Sequence, residues 1–341
     1  MKKCKVFLTS AMLVAAVIGA SAVHADNPVP KRSIVEIKKT VDLTDAKILM
    51  PKTSFNFTVE PDQSARGTKD NLDVKPGIPV TGQNLKVDYT NGDKPGTKDK
   101  TTTVDFANVE FPKAGIYRYI VKETKGNTPG VTYDGKTYVV DVYAYDGDNG
   151  KPVATYVVSH EQGKTAKEPI AFNNQLKTTS LTVKKIVAGN AGERDRDFIF
   201  TLELTANDQF EAGQKVTFIK HDKDKKDTPV EVTIGEATSF NLKDGESVVL
   251  DKLPIGISYK VNETKVEGYT TSAKLTDGDK VATEYVLGNE YTSDETADVI
   301  DVTNTKEGII PTGVVNTIAP FAALAIVAIG GSLYFVKRKK A

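Results

Sequence analysis

Ile34-Val35-Glu36-Ile37-Lys38-Lys39-Thr40-Val41 alternates apolar and polar residues with a period of two, except that a lysine takes one of the apolar slots. Successive side chains of a strand point to opposite faces, so Val35, Ile37 and Val41 share one face, and Lys39 shares it with them. Similar alternation, rich in Val, Ile, Thr, Tyr and Phe, extends outward to Thr305. It is broken by turn clusters such as Thr90-Asn91-Gly92-Asp93, Asp146-Gly147-Asp148-Asn149-Gly150 and Leu242-Lys243-Asp244-Gly245. No long stretch keeps helical periodicity. The pattern predicts an all-β body of short antiparallel strands at sandwich-like spacing.

A weak repeat divides that body. Ile34–Lys39 recurs as Leu181-Thr182-Val183-Lys184-Lys185, and Tyr119-Ile120-Val121-Lys122-Glu123-Thr124 recurs as Tyr259-Lys260-Val261-Asn262-Glu263-Thr264. Ile170-Ala171-Phe172-Asn173-Asn174 corresponds to Ile300-Asp301-Val302-Thr303-Asn304. Two tandem sandwiches are predicted over residues 33–175 and 180–305, each large enough for its own core. The joint, Gln175–Thr179, is too short for free tumbling.

Parity places three polar residues on the inner face of each half. Glu123 joins Tyr117, Tyr119 and Val121, and Asn174 joins Ile170, Phe172 and Leu176. In the second half Lys185 falls with Leu181, Val183 and Val187, Glu263 with Ile257, Tyr259 and Val261, and Asn304 with Ile300 and Val302. A buried amine or carboxylate must pair, neutralise or react. One inward lysine ordinarily snorkels at a strand end. The same three residue types, in the same order and parity in both halves, also fit a reaction. Desolvation would give a neutral amine beside a protonated acid. The acid could polarise the carboxamide and shuttle protons while the amine attacks and ammonia leaves. The product would be a Lys–Asn isopeptide bond between first and last strands, made once, with no enzymatic turnover. Parity and repetition leave both readings open.

The 341 residues are 26% charged and 39% hydrophobic, the composition of a soluble globular chain of about two domains. The formal net charge is zero, but setting aside the seven basic residues at the two ends leaves 38 cations against 45 anions. An acidic middle argues against nucleic acid as a partner. Residues 1–25 read as a secretory signal peptide, with Lys2, Lys3 and Lys5 before an apolar run and Val23 and Ala25 at the cleavage site. A polar leader, 26–32, follows. At the other end residues 314–336 are apolar and long enough for a membrane span, and a basic tail, 337–341, lies behind them. The only cysteine, Cys4, lies in the signal, so the exported body has no disulfide available.

Over nearly its full length the chain resembles the sortase-assembled backbone pilins of Gram-positive bacteria, most closely the streptococcal T-antigen type of major pilin. The resemblance is carried by the glutamate boxes, Tyr119–Glu123–Thr124 before Pro129-Gly130 and Tyr259–Glu263–Thr264 before Gly268-Tyr269. The Lys-bearing first strands, the Asn-ending last strands and the terminal signal complete it. It implies immunoglobulin-like domains with self-generated bonds, Lys39–Asn174 with Glu123 catalytic and Lys185–Asn304 with Glu263 catalytic. Lys38, Lys184 and Asn173 adjoin these residues, and alternation assigns them to the outer face.

Ile309-Ile310-Pro311-Thr312-Gly313, followed by an apolar span and basic residues, is similar to a cell-wall sorting signal. In such a signal a sortase cleaves between Thr312 and Gly313 and holds the Thr carbonyl. Ordinary anchors read Leu-Pro-x-Thr-Gly. Here Pro311 abuts Thr312, as in T-antigen pilins, which suggests a dedicated pilus sortase. The resemblance also implies an acceptor amine for polymerisation a few residues before the last strand of the first domain, and the matching residue is Lys167, in Thr165-Ala166-Lys167-Glu168-Pro169, with Lys164 as a competitor. A Thr312 carbonyl joined to Lys167 of the next subunit makes a head-to-tail contact that does not close, hence a filament.

The implied partners are further copies of the chain, the sortase, minor tip and base pilins and the peptidoglycan of the cell wall. Localisation would be the wall and a surface pilus, with transient membrane retention. The alternative is a monomeric wall-anchored adhesin built from the same domains. No cofactor or metal is expected. Asp146–Gly150 resembles half a calcium loop, but Val157 stands where that loop needs Glu. His160 and His221 lack zinc or triad spacing.

Overall fold

The computed structural model describes residues 33–43, 48–93, 99–224 and 226–308. The expected signal, leader, sorting motif, span and tail lie outside the described residues, as do Thr312 and Gly313. Among the described residues no helix is long and apolar enough to cross a membrane.

The alternating segments form strands. The first half contains β1 (Ile34–Leu43), β2 (Thr53–Pro61), β3 (Thr68–Lys69), β4 (Leu72–Pro76), β5 (Lys86–Tyr89), β6 (Lys100–Asp105), β7 (Gly115–Glu123), β8 (Val131–Thr132), β9 (Thr137–Asp146), β10 (Pro152–Glu161) and β11 (Ile170–Leu176). The second contains β12 (Thr178–Ala188), β13 (Phe198–Thr205), β14 (Lys215–His221), β15 (Asp227–Thr233), β16 (Thr238–Leu242), β17 (Ser247–Pro254), β18 (Ser258–Glu263), β19 (Thr270–Asp277), β20 (Thr283–Glu284), β21 (Glu290–Thr292) and β22 (Asp298–Thr305).

In the first half the sheet β6-β1-β11-β8 faces a sheet ordered β10-β9-β7-β2-β5, to which β4 adds beside β7 and β3 beside β4. Ile37, Val104, Ile170 and Phe172 of the first sheet pack against Phe55, Tyr117, Val121 and Val140 of the second. In the second half β15-β14-β17-β12-β22-β19-β20 faces β16-β13-β18-β21, with Val183, Ile300 and Val302 against Phe200, Leu202 and Tyr259. Burial alternates along β11 and β22 as the sequence requires, every second side chain being buried.

One expectation is corrected. The strands are not all antiparallel, because β1 pairs parallel with β11 and β12 parallel with β22. A parallel neighbour needs a long crossover, and the rest of each half supplies it. β4 likewise runs parallel to β7.

A single residue, Lys177, separates β11 from β12. The halves also touch directly. The Lys52 amide donates to Gln209 O at 2.9 Å, and Asn91 Nδ2 donates to both Met50 O and Gln209 O at 2.7 Å. Gly130 (φ 74°) and Gly256 (φ 85°) meet at the same joint. A Cβ on Gly256 would lie 2.8 Å from Pro129 Cβ, and one on Gly130 would lie 3.3 Å from Ile255 Cβ, so glycine is needed at both.

Candidate functional site

Lys39 and Asn174 come from adjacent parallel strands. Val41 lies opposite Asn174, which places Lys39 one same-face step back along β1. Glu123 reaches the pair from the end of β7 in the facing sheet, where it pairs with Phe57 of β2. Lys39 and Asn174 are 0% exposed, as is the Glu123 side chain. Glu123 Oε1 lies 2.9 Å from Lys39 Nζ and accepts from Asn174 Nδ2 at 3.0 Å. Beyond that ion pair, Lys39 Nζ and Glu123 Oε2 have no hydrogen-bond partner among the described residues. Asn174 Oδ1 accepts from the Asp134 amide at 2.7 Å. Lys39 Nζ stands 4.6 Å from the centre of the Phe55 ring.

The second half repeats the arrangement with the sheets exchanged. Lys185 and Asn304 lie on the larger sheet and Glu263 on the smaller one. Val187 lies opposite Asn304, the same offset as before, and Glu263 pairs with Phe200 of β13. Lys185 and Asn304 are again 0% exposed. Lys185 Nζ lies 3.2 Å from Glu263 Oε1 and 3.3 Å from Oε2, and it reaches Val302 O at 3.5 Å. Asn304 Nδ2 donates to Glu263 Oε1 at 2.6 Å, whereas Asn304 Oδ1 has no partner among the described residues. The Phe198 ring centre is 4.3 Å from Lys185 Nζ.

In each trio one carboxylate oxygen touches the lysine Nζ and the asparagine Nδ2 together. Burial lowers both lysines to about 8, against the opposing pull of Glu123 and Glu263. Burial raises both glutamates, although their lysine contacts oppose it. Amine and acid are therefore both driven toward their uncharged forms, which an attack by nitrogen requires.

Asp141 shows that burial beside a lysine is not sufficient. Its side chain is fully buried and touches Lys69 at 2.9 Å, but Arg118 adds bonds of 2.7 and 3.0 Å. Burial pushes this carboxyl up, yet the Arg118 and Lys69 bonds outweigh it and hold the group below its ordinary range. With Lys69 39% exposed, the result is a stable ion cluster.

The neighbouring residues face outward, as alternation requires. Lys38 pairs with Asp99 at the surface, Lys184 is exposed, and Asn173 Nδ2 reaches Asp42 at 3.2 Å. Lys167 is exposed in the loop before β11 and has no ion-pair partner among the described residues. Lys164 is held by Glu161 at 2.6 Å and Glu168 at 3.8 Å. Sequence reasoning passed over the aromatic walls. Their signal was present as a repeated Phe-x-Phe-Thr, Phe55-Asn56-Phe57-Thr58 and Phe198-Ile199-Phe200-Thr201.

A pilin of Streptococcus pyogenes serotype M1 is 40% identical to this chain over 350 aligned positions, spanning 100% of both proteins. The chain belongs to the streptococcal pilins. The Spy0128-like isopeptide containing domain matches residues 35–177, and a domain of unknown function (DUF7601) matches 179–306. The T3.2 major pilin of Streptococcus pyogenes superimposes with a TM-score of 0.77 at 45% identity, covering 82% of this chain and 100% of that one. Another major pilin of that species gives 0.76 at 37% identity, covering 81% and 99%. This pilin thus has the tandem immunoglobulin-like architecture of the family, and its role is that of a structural subunit of a cell-surface pilus shaft.

Proposed function

We propose that this pilin is a self-cross-linked shaft subunit that sortase joins head to tail, and that each buried trio matures into a Lys–Asn isopeptide bond. Uncharged Lys39 Nζ bonds to Asn174 Cγ. Protonated Glu123 gives its proton to Nδ2, the Cγ–Nδ2 bond breaks to release ammonia, and the proton that Nζ sheds restores the acid. Lys185, Asn304 and Glu263 carry out the same exchange. The observation that carries this reading is the shared Oε1 contact, 2.9 and 3.0 Å in one trio and 3.2 and 2.6 Å in the other.

Between subunits, the Thr312 carbonyl would be transferred to Lys167 of the next copy. Support for Lys167 over Lys164 comes from exposure without an ion-pair partner, because Lys164 is tied to two glutamates that raise its pKa. Intact mass spectrometry of the recombinant body should fall two ammonia units below the sequence mass, and Glu123→Ala or Glu263→Ala should restore one. A body at full sequence mass would refute the chemistry. Wall extracts should give a high-mass ladder on a denaturing gel that collapses with Lys167→Arg, whereas a single band from the unmodified strain would mark a monomeric anchored protein.

A further inference from the structure

The two trios differ in one respect that bears on chemistry. As Nζ adds to the carboxamide carbon, negative charge develops on Oδ1, and a donor already aimed at that oxygen lowers the barrier. Glu123 Oε1 faces Asn174 Nδ2, so the acid is not placed to polarise the oxygen. The Asp134 amide, 2.7 Å from Asn174 Oδ1, is. Resting on the cross-linking reading above, we propose that the Asp134 backbone N–H is an oxyanion donor for the Lys39–Asn174 bond, and that the Lys185–Asn304 bond forms without a counterpart.

The fold explains the difference. β8 pairs with β11 only at Gln175↔Thr132 and Leu176↔Val131, after which its chain turns away and leaves the Asp134 N–H outside the ladder. The Asp134 carboxylate fixes that turn, Oδ1 accepting from the Lys136 amide at 2.9 Å and Oδ2 from the Asn173 amide at 2.8 Å. The donor therefore has a rigid mount on both sides. β19, by contrast, stays paired with β22 from Thr270↔Thr305 to Asp277↔Asp298, with Thr271 opposite Asn304. The chain does not turn away beside Asn304, and among the described residues Asn304 Oδ1 has no hydrogen-bond partner.

The Asp134 side chain has a separate electrostatic effect, and its sign distinguishes the two roles. Its negative charge favours the protonated form of Lys39, so removing the charge alone should help the reaction. Removing the N–H should hinder it.

Chain recovered unlinked in denaturant is diluted to fold and quenched at intervals, and the two cross-linked tryptic peptides are counted by mass spectrometry. Asp134→Pro, which lacks the N–H, should slow the Lys39–Asn174 bond about 100-fold. The Lys185–Asn304 bond in the same chain should keep its rate, as the internal control for folding. Asp134→Asn, which keeps the N–H but loses the charge and one of the two side-chain acceptors, should slow the first bond far less than Asp134→Pro does. An unchanged first bond in Asp134→Pro would overturn the proposal. So would equal slowing of both bonds, or a loss in Asp134→Asn as large as in Asp134→Pro. If neither cross-linked peptide forms in the natural chain, the underlying cross-linking reading fails instead.

Discussion

The two trios share residues, register and chemistry but occupy different places on the line that tension would follow. Between Lys167 and the end of the described chain the backbone runs through β11, Lys177 and β12, then through the second sandwich to β22. Everything from β1 to β10 precedes Lys167 and hangs off that line. A Lys39–Asn174 bond ties β1 to a strand that already carries the load along its own backbone. A Lys185–Asn304 bond spans the load-bearing sandwich and takes residues 186–303 out of tension. The same proposed amide would thus be a staple in one domain and a bypass in the other. Tension would not pass equally through the two proposed bonds, because the proposed acceptor, Lys167, lies so late in the first domain.

The largest expected effect breaks that comparison. When the folded body is held at residues 167 and 308 and pulled, Asn304→Ala should release residues 186–303, about 40 nm at roughly 3.4 Å per residue. Asn174→Ala should release none. Equal extensions in both variants would mean that the line of force is not the one described. Thermal unfolding should reverse the ranking for the first domain. A link closing more than a hundred residues constrains the denatured chain by about 4–5 kcal/mol. Glu123→Ala should therefore lower the first domain's Tm by about 10–20 °C in calorimetry and leave the second transition in place.

A smaller effect distinguishes linked from unlinked lysine through pH. In Asn304→Ala, Lys185 stays free and buried, with its pKa lowered to about 8 from 10.5. Between those values the unfolded chain binds more protons, so stability must rise with pH across that window, by up to about 3 kcal/mol. In the natural chain, on the proposed reading, Lys185 would be an amide nitrogen and would not contribute. Urea midpoints at pH 7.5 and 10 should diverge for the variant relative to the natural chain, and parallel midpoints would show that Lys185 does not titrate there.

Period-two parity made the six inner-face residues legible, because a buried charge among apolar neighbours breaks a pattern that any reader can count. The first strand decided it, with Lys39 on the face of Ile37 and Val41. What stayed illegible has no residue-type signature. Asp134 reads as a turn residue before Gly135, and its part is taken by a backbone N–H that exists only because β8 stops after two residues. The parallel pairing of first and last strands depends on the closure of the whole domain. The exchange of sheets between the halves is equally invisible to parity, which says which face a side chain takes but not which sheet. Gly130 and Gly256 are turn glycines in sequence and become contact glycines only when the two halves meet.

The smallest effect tests register itself. Lys38 and Lys39 are the same residue type one position apart, and an unlinked chain could in principle offer either amine to Asn174. Lys38 points away from the core and spends its charge on Asp99 at 2.5 Å, both side chains being about two-fifths exposed. An exposed pair of this kind contributes at most about 1 kcal/mol. A charged amine in water has neither the desolvation nor the geometry to attack a buried carboxamide. Lys38→Ala should therefore keep the full loss of two ammonia units and move the first domain's Tm by only a few degrees, whereas Lys39→Ala should forfeit one unit and behave like Glu123→Ala. If the Lys39→Ala chain still showed both losses, Lys38 would have replaced its neighbour, and the face assignment of β1 would be a preference that the reaction can override.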